Sequence, residues 1–227
     1  MKASTRLTLE LVMLISLAGT TSATPTRQAQ DLFRTASTYT LDFNTLPVGA
    51  RVASLTLEQG ITGTGISSAF LGLSGENVVH VSGQRRDREG DSNHAMTFDG
   101  ECGGDASGCS GNDDDLFEPG QGNLLIVSQD GDGSSPNDNH EGGHVDIDFS
   151  DFGSGRVSVT SVSVFDVSHS GATVALYADG EKLEEVPIPR GGTGEKATVD
   201  LNTSGVDFVR ISVKDSFAVD DLSFTLE

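Results

Sequence analysis

Aromatic and basic residues are scarce in this sequence. Its 227 residues include no tryptophan and two tyrosines, and 14 Lys and Arg stand against 34 Asp and Glu, for a formal net charge of −20. A chain of this charge repels nucleic acids and anionic membrane surfaces and attracts cations. Sugar rings pack best on aromatic faces, so the shortage of aromatic side chains makes a flat crystalline polysaccharide a poor ligand.

No stretch of the sequence is apolar for long enough to span a bilayer, which takes about 20 residues. A short apolar run, Leu11–Ala18, follows Lys2 and Arg6 and precedes Thr21-Ser22-Ala23. This order of a basic start, an apolar run and small residues predicts a secretory signal peptide at 1–23. We therefore expect a secreted, extracellular protein without membrane insertion.

The sequence also lacks a sustained 3.6-residue apolar period, which would indicate helices. Apolar and polar residues alternate instead, as in Val145–Phe149 and Val157–Phe165, and turn signals such as Asp179-Gly180 separate the runs. The pattern predicts an all-β fold of two packed antiparallel sheets with long acidic loops. We expect one domain at 38–227, preceded by a flexible leader at 24–37.

The only two cysteines, Cys102 and Cys109, lie in a glycine-rich segment. Because secreted proteins fold under oxidising conditions, this spacing predicts a disulfide bond. Its closure would stabilise the fold by about 2–3 kcal/mol in the chain-entropy model. A redox or metal-thiolate role is the alternative, although the Cys-x-x-Cys spacing is missing. Asn202 begins an Asn-Thr-Ser sequon, which predicts N-glycosylation in a host that glycosylates.

Residues 89–155 concentrate the negative charge, with 16 acidic residues and no Lys or Arg. Carboxylates packed this densely repel one another unless a cation lies among them. Calcium suits these residue types, because it binds six to eight oxygen ligands from carboxylates, amides and carbonyls. A solvated acidic segment without a bound ion is the alternative. The candidate calcium ligands are Asp99, Asp113, Asp115, Asp130, Asp132, Ser134, Asp138, Glu141 and Asp220.

Two metal-site patterns overlap in this region. From Asp130 onward, the oxygen-bearing residues have the ligand spacing of an EF-hand loop, but the required central glycine is Ser135. Residues 140–144 read His-Glu-Gly-Gly-His, the zinc-protease signature, which needs both histidines on one helix. Two glycines and an adjoining strand pattern oppose a helix. We expect an Asp-x-Asp-x-Ser calcium loop rather than an EF-hand, and interpret the zinc signature as coincidental.

A series of short segments follows a recognisable order along the chain. They are Leu41-Asp42-Phe43 with Pro47 and Gly49, Ala95–Asp99, Asp113–Leu116, Gly122–Ile126, Pro136–Asn139, Gly142-Gly143, and Ser216–Phe224 with its Ala-Val-Asp-Asp-Leu stretch. In this order they resemble secreted bacterial jelly-roll domains, some of which carry exosortase (PEP-CTERM) sorting tails. The resemblance spans about 185 residues. It implies a jelly-roll β-sandwich related to galactose-binding-like and carbohydrate-binding modules, often with structural calcium. No sorting tail follows Leu226-Glu227, so anchoring by that route is not expected.

The sequence is compatible with three functions. The main hypothesis is a non-catalytic extracellular module that binds a glycan, matrix or cell surface, with calcium stabilising its loops. The second is a structural or ion-sequestering coat protein. The third is a polysaccharide-cleaving hydrolase or lyase, which would show two carboxylates across a groove, one with a raised pKa. No catalytic residue is assigned, because the sequence has neither a Gly-x-Ser-x-Gly nor a phosphate-cradling motif.

Overall fold

A computed structural model describes residues 38–57, 69–71, 78–88, 90, 93–101 and 116–227. Within these ranges the chain forms thirteen β-strands and no helix, so the predicted all-β class is confirmed. The strands are β1 Thr38–Leu41, β2 Ser54–Leu57, β3 Ala69–Leu71, β4 Val78–Arg85, β5 Ala95–Asp99, β6 Asn123–Val127, β7 Gly143–Asp148, β8 Val157–Phe165, β9 Thr173–Ala178, β10 Glu181–Pro187, β11 Lys196–Val206, β12 Phe208–Val213 and β13 Ala218–Leu226. In this part of the chain, no helix is long and apolar enough to cross a membrane.

Several predictions concern residues outside the described ranges. They are the signal peptide at 1–23, the leader at 24–37, the Cys102–Cys109 disulfide, and the candidate ligands Asp113 and Asp115. All of these stay predictions.

The strands form two antiparallel sheets, as the sequence predicts. One sheet has the order β11-β8-β13-β6-β5, with β1 pairing the second half of β13. The other has the order β10-β9-β12-β7-β4-β2-β3. Eight of the twelve connections between successive strands cross from one sheet to the other. Repeated crossing of this kind builds a β-sandwich rather than a meander.

Apolar side chains of both sheets meet in the main core. In β12, Val209, Ile211 and Val213 are buried in this core, whereas the residues between them lie on the outer face. A cluster of aromatic rings joins the two sheets at one end, with centroids 4.8 to 6.4 Å apart. Its members are Tyr39, Phe149, Phe152 and Phe224. Each such pair contributes about 0.5–1.5 kcal/mol beyond the area that it buries.

A second, smaller core lies on the outer face of the six-stranded sheet. Strand β6 is apolar on both faces, because Leu125 and Val127 join the main core while Leu124 and Ile126 join the second one. The remaining members of the second core are Met96, Phe98, Leu116, Phe165 and Ala218. The outer face of this sheet is therefore buried chiefly over β5 and β6. The outer face of the seven-stranded sheet instead carries polar and aromatic groups.

Candidate functional site

The outer face of the seven-stranded sheet arranges its side chains in rows across neighbouring strands. In the first row, Phe208 of β12 lies opposite both Tyr177 of β9 and Asp148 of β7, and Asp148 lies opposite His80 of β4. Directly opposed residues of antiparallel strands have Cβ atoms about 4.5–5.5 Å apart. These four side chains therefore form a contiguous row.

Two further rows continue this surface along the strands. Arg210 lies opposite Asp146, and Ser212 lies opposite His144. Residues two positions apart on a strand share a face and are about 6.8 Å apart. The three rows together therefore extend about 14 Å along β12.

A cavity of about 430 Å³ lies at the first row. The rings of Tyr177 and Phe208 meet edge to face there, with centroids 5.7 Å apart. The lining residues are Asp148, Ser150, Tyr177, Gly180, Asp207, Phe208 and Arg210. We call this cavity the aromatic cleft. Apolar rings beside carboxylates suit a ligand that is apolar on its faces and carries hydroxyl groups at its edge.

Backbone donors hold both carboxylates of the aromatic cleft in place. The Ser150 N–H donates to Asp148 Oδ1 at 2.8 Å, and the Asp179 N–H donates to Asp207 Oδ2 at 2.6 Å. Each carboxylate is thereby oriented before any ligand arrives. The second oxygen of each is the acceptor that a ligand hydroxyl would meet.

A bidentate ion pair fixes the guanidinium at the rim of the aromatic cleft. Arg210 Nε and Nη2 donate to the two oxygens of Asp146, both at 2.7 Å, and the ring of Phe208 lies 5.6 Å from Arg210 Cζ. The hydrogen bonds to Asp146 raise the pKa of Arg210, against a smaller opposing effect of burial. His144 Nε2 lies 3.6 Å from Asp146 Oδ2. Paired geometry of this kind orients the arginine and limits its rotation.

The candidate calcium ligands do not form one site. Asp99 lies opposite Asn123 at the start of β6, whereas Asp138 lies opposite Ser128, just after the end of β6. These two positions are about 17 Å apart along the strand. Asp220, on β13, lies near the Asp99 end of β6, because it accepts a hydrogen bond from Gln121, which precedes Asn123 by two residues. In the described part of the chain, no three acidic or histidine side chains are arranged to hold a metal ion.

The Asp130–Ser134 segment forms two successive Asx turns. Asp130 Oδ1 accepts the Asp132 N–H at 2.9 Å, and Asp132 Oδ1 accepts the N–H and hydroxyl of Ser134 at 2.9 and 2.7 Å. The Ser134 hydrogen bonds lower the pKa of Asp132. Asp130, Asp132, Ser134 and Glu141 are exposed, whereas Asp138 is buried. These hydrogen bonds account for the geometry of the loop without a bound ion, and calcium binding stays a prediction.

The His-Glu-Gly-Gly-His segment is a turn followed by strand β7, not a helix. A Cβ atom at Gly142, where φ is +70°, would lie 2.4 Å from the Val213 carbonyl oxygen. A Cβ atom at Gly143 would lie 2.2 Å from the Gln84 carbonyl oxygen. Both glycines are thus required by close backbone packing. The structure agrees with a coincidental match to the zinc-protease signature.

Asp220 lies in a cluster of carboxylates that the sequence analysis did not predict. Gln121 Nε2 donates to Asp220 Oδ2 at 2.6 Å and to Asp221 Oδ2 at 2.9 Å, and Lys196 Nζ donates to Gln121 Oε1 at 2.8 Å. Burial raises the pKa of Asp220 to about 7, helped by the charges of Asp221 and Asp42. Because Asp220 is fully buried, a polysaccharide cannot reach its carboxylate.

Ser168, His169 and Asp215 also meet, but not as a hydrolase triad. Both the hydroxyl of Ser168 and the Nδ1 atom of His169 contact the same oxygen, Asp215 Oδ2. Ser168 Oγ also lies 3.0 Å from His169 Nδ1. A triad needs the serine and the carboxylate on opposite ring nitrogens, so that the imidazole relays the proton. This cluster is a surface hydrogen-bond network.

Asn202, the predicted glycosylation site, is exposed on β11. Its φ of +49° places it in the left-handed region, next to an irregularity in the pairing of β11 with β8. Asparagine tolerates this conformation better than most residues. The position is accessible, and its glycosylation stays a prediction.

Neither a protein-family model nor a curated protein matches this sequence. Among solved structures, an F5/8 type C domain from Bacteroides fragilis is 18% identical, with a TM-score of 0.23 over 37% of this chain and 64% of its own. CpGH89CBM32-6 from Clostridium perfringens is 15% identical, with a TM-score of 0.25 over 40% and 73%. The family 32 CBM of C. perfringens NanJ, in complex with galactose, is 8% identical, with a TM-score of 0.30 over 65% and 99%. Likeness at this level adds nothing to the β-sandwich architecture that the strand pairing establishes.

Proposed function

We propose that this protein is a non-catalytic extracellular module that binds a glycan in the aromatic cleft. The observation that carries the proposal is the position of Tyr177. Of the two tyrosines, Tyr39 is buried in the core, whereas Tyr177 is half-buried and lies beside Phe208, another half-buried ring. A chain with few aromatic residues thus places two of them on one polar face.

The chemistry of the aromatic cleft matches the two kinds of surface on a sugar ring. The C–H face of a pyranose would pack on the rings of Tyr177 and Phe208. Its hydroxyl groups would donate to Asp148 and Asp207 and accept from Arg210, whose orientations are already fixed. Preorganised groups lose little conformational entropy on binding.

Calcium enters the proposal as a stabiliser of the acidic loops and not as a bridge to the sugar. Its support is the donor set at Asp130, Asp132 and Ser134, which offers oxygen alone and so favours a hard cation. The loop is also well anchored, because Gly133 packs so closely on Gly49 that a Cβ atom on Gly49 would lie 1.9 Å from the Gly133 carbonyl oxygen.

The test of the proposal is the affinity of the secreted chain for an array of neutral and acidic glycans. It is measured for the wild type, Tyr177→Ala and Phe117→Ala. We expect Tyr177→Ala to weaken binding about tenfold or more, because it removes the aromatic contact. Phe117→Ala is the matched control, since Phe117 is an exposed ring outside the aromatic cleft. The bound polysaccharide should keep its chain length.

Two results would contradict the proposal. Equal affinity of the wild-type and Tyr177→Ala proteins would show that the glycan binds elsewhere. Shortening of the polysaccharide by the wild-type protein would show that the module is catalytic.

A further inference from the structure

Basic side chains gather at the opposite end of the outer face from the aromatic cleft. A second cavity, of about 220 Å³, lies there. Its lining residues are Arg85, Arg86, Gly143, His144, Gly171, Ser212, Val213 and Lys214. We call this cavity the basic pocket. Three cationic side chains around one cavity are unexpected in a chain with a net charge of −20.

Two of these three cations are available to a ligand. Arg85 is buried, and its guanidinium is held by Asp87, at 3.0 and 2.6 Å, and by the Gln129 carbonyl. Arg86 and Lys214 are exposed, and among the described residues neither takes part in an ion pair. Like charges on one cavity repel each other, and an anion placed between them relieves that repulsion.

Three carboxylates within two residues of the lining of the basic pocket are engaged with other groups. Asp87 pairs with Arg85, Asp146 pairs with Arg210, and Asp215 contacts Ser168 and His169. These contacts leave Arg86 and Lys214 as the cations that an incoming anion would meet. A guanidinium and an ammonium group together suit a carboxylate or a sulfate.

The basic pocket and the aromatic cleft lie on one continuous surface. The row formed by Ser212 and His144 borders the basic pocket, and the row formed by Phe208 and Asp148 borders the aromatic cleft. At about 3.4 Å per residue, Lys214 follows Phe208 along the chain by about 20 Å. A ligand that occupies both ends must therefore be several sugar units long.

We infer that the natural ligand is a sparsely charged acidic glycan, whose carboxylate or sulfate binds Arg86 and Lys214 while a neutral sugar ring packs in the aromatic cleft. The inference rests on the proposed glycan-binding function and names the class of ligand. The chain as a whole is strongly acidic, so it repels densely charged polyanions, whereas the basic pocket can accept an isolated negative charge.

The experiment compares one polysaccharide backbone in three forms: neutral, partly oxidised to uronate, and partly sulfated. The wild-type protein should bind at least one acidic form about tenfold more tightly than the neutral form, because charge-assisted hydrogen bonds are among the strong ones. The variants are Arg86→Ala with Lys214→Ala, and Arg190→Ala, which removes an exposed charge that does not line the basic pocket.

The double variant should bind all three forms with the affinity that the wild type has for the neutral form, and Arg190→Ala should keep the preference for the acidic form. Which acidic form is preferred identifies the anion as carboxylate or sulfate. Equal wild-type affinity for all forms, or a preference that survives the double substitution, would overturn the inference while leaving neutral glycan binding intact. Absence of binding to every form would overturn the proposed function as well.

Discussion

At the scale of single residues, Asp146 and Asp148 show how similar sequence positions acquire different roles. The alternation of β7 places both on the outer face, as predicted, because Val145 and Ile147 are in the core. Arg210 covers Asp146, which is only 9% exposed, whereas Asp148 remains half-buried at the cleft. One carboxylate thus orients a neighbour, and the other is placed to meet a ligand.

Asp220 makes a prediction about pH. Its pKa is raised from 3.8 to about 7, and its Oδ1 atom has no hydrogen-bond partner among the described residues. Between about pH 4 and pH 7 the folded chain keeps a proton that the unfolded chain has released. Raising the pH through this window therefore lowers the free energy of unfolding. Asp220→Asn, which mimics the protonated carboxyl group, should remove that loss and raise the melting temperature at pH 8.

The measurement is thermal unfolding from pH 4 to pH 8 in calcium-free buffer. Asp200→Asn serves as the control, because Asp200 is an exposed residue on β11. The same pH dependence in the Asp220→Asn and wild-type proteins would show that Asp220 is ionised when buried.

At the scale of strands, alternation predicted the fold class and the core, but not the candidate site. Phe149 and Phe165, which end two of the alternating runs, are buried. Phe208 is not, because it is in phase with Arg210 rather than with the buried valines of β12, and that signal was readable from the sequence. The row of Tyr177, Phe208 and Asp148 depends on the register of strands far apart in sequence, which loops of unknown geometry determine.

The length of β4 was also hard to predict. Its alternation of Val79, His80, Val81 and Ser82 stops at Gly83, where a Cβ atom would lie 2.7 Å from the Ala95 nitrogen. Close packing against the start of β5 therefore leaves no room for a side chain at a position where the alternation calls for an apolar one. A pattern based on side-chain polarity does not contain this information.

The Asp130–Ser134 loop gives the test of calcium. A cation that binds only the folded chain raises its stability, so millimolar calcium should raise the melting temperature of chelator-treated protein. Replacing Asp130 and Asp132 with Ala should abolish the increase, and Asp200→Asn should not. An equal melting temperature with and without calcium would remove calcium from the account.

At the scale of the whole molecule, the two sheets have different outer faces. The six-stranded sheet buries part of its outer face, chiefly over β5 and β6, in a second apolar core, whereas the seven-stranded sheet exposes rows of aromatic, acidic and basic groups. The aromatic cleft and the basic pocket both lie on the seven-stranded sheet, beside groups held in fixed orientations. The net charge of −20 then acts on selectivity, because it disfavours polyanions over the rest of the surface.

The most direct test of the account is to map the glycan on the protein by following backbone amide resonances during a titration with a soluble oligosaccharide. The account predicts saturable shifts at Asp148, Tyr177, Phe208 and Arg210, with those of the six-stranded sheet unchanged. Shifts confined to other surfaces, such as the Asp130–Ser134 loop, or no change at the cleft when the ligand is saturating, would contradict it.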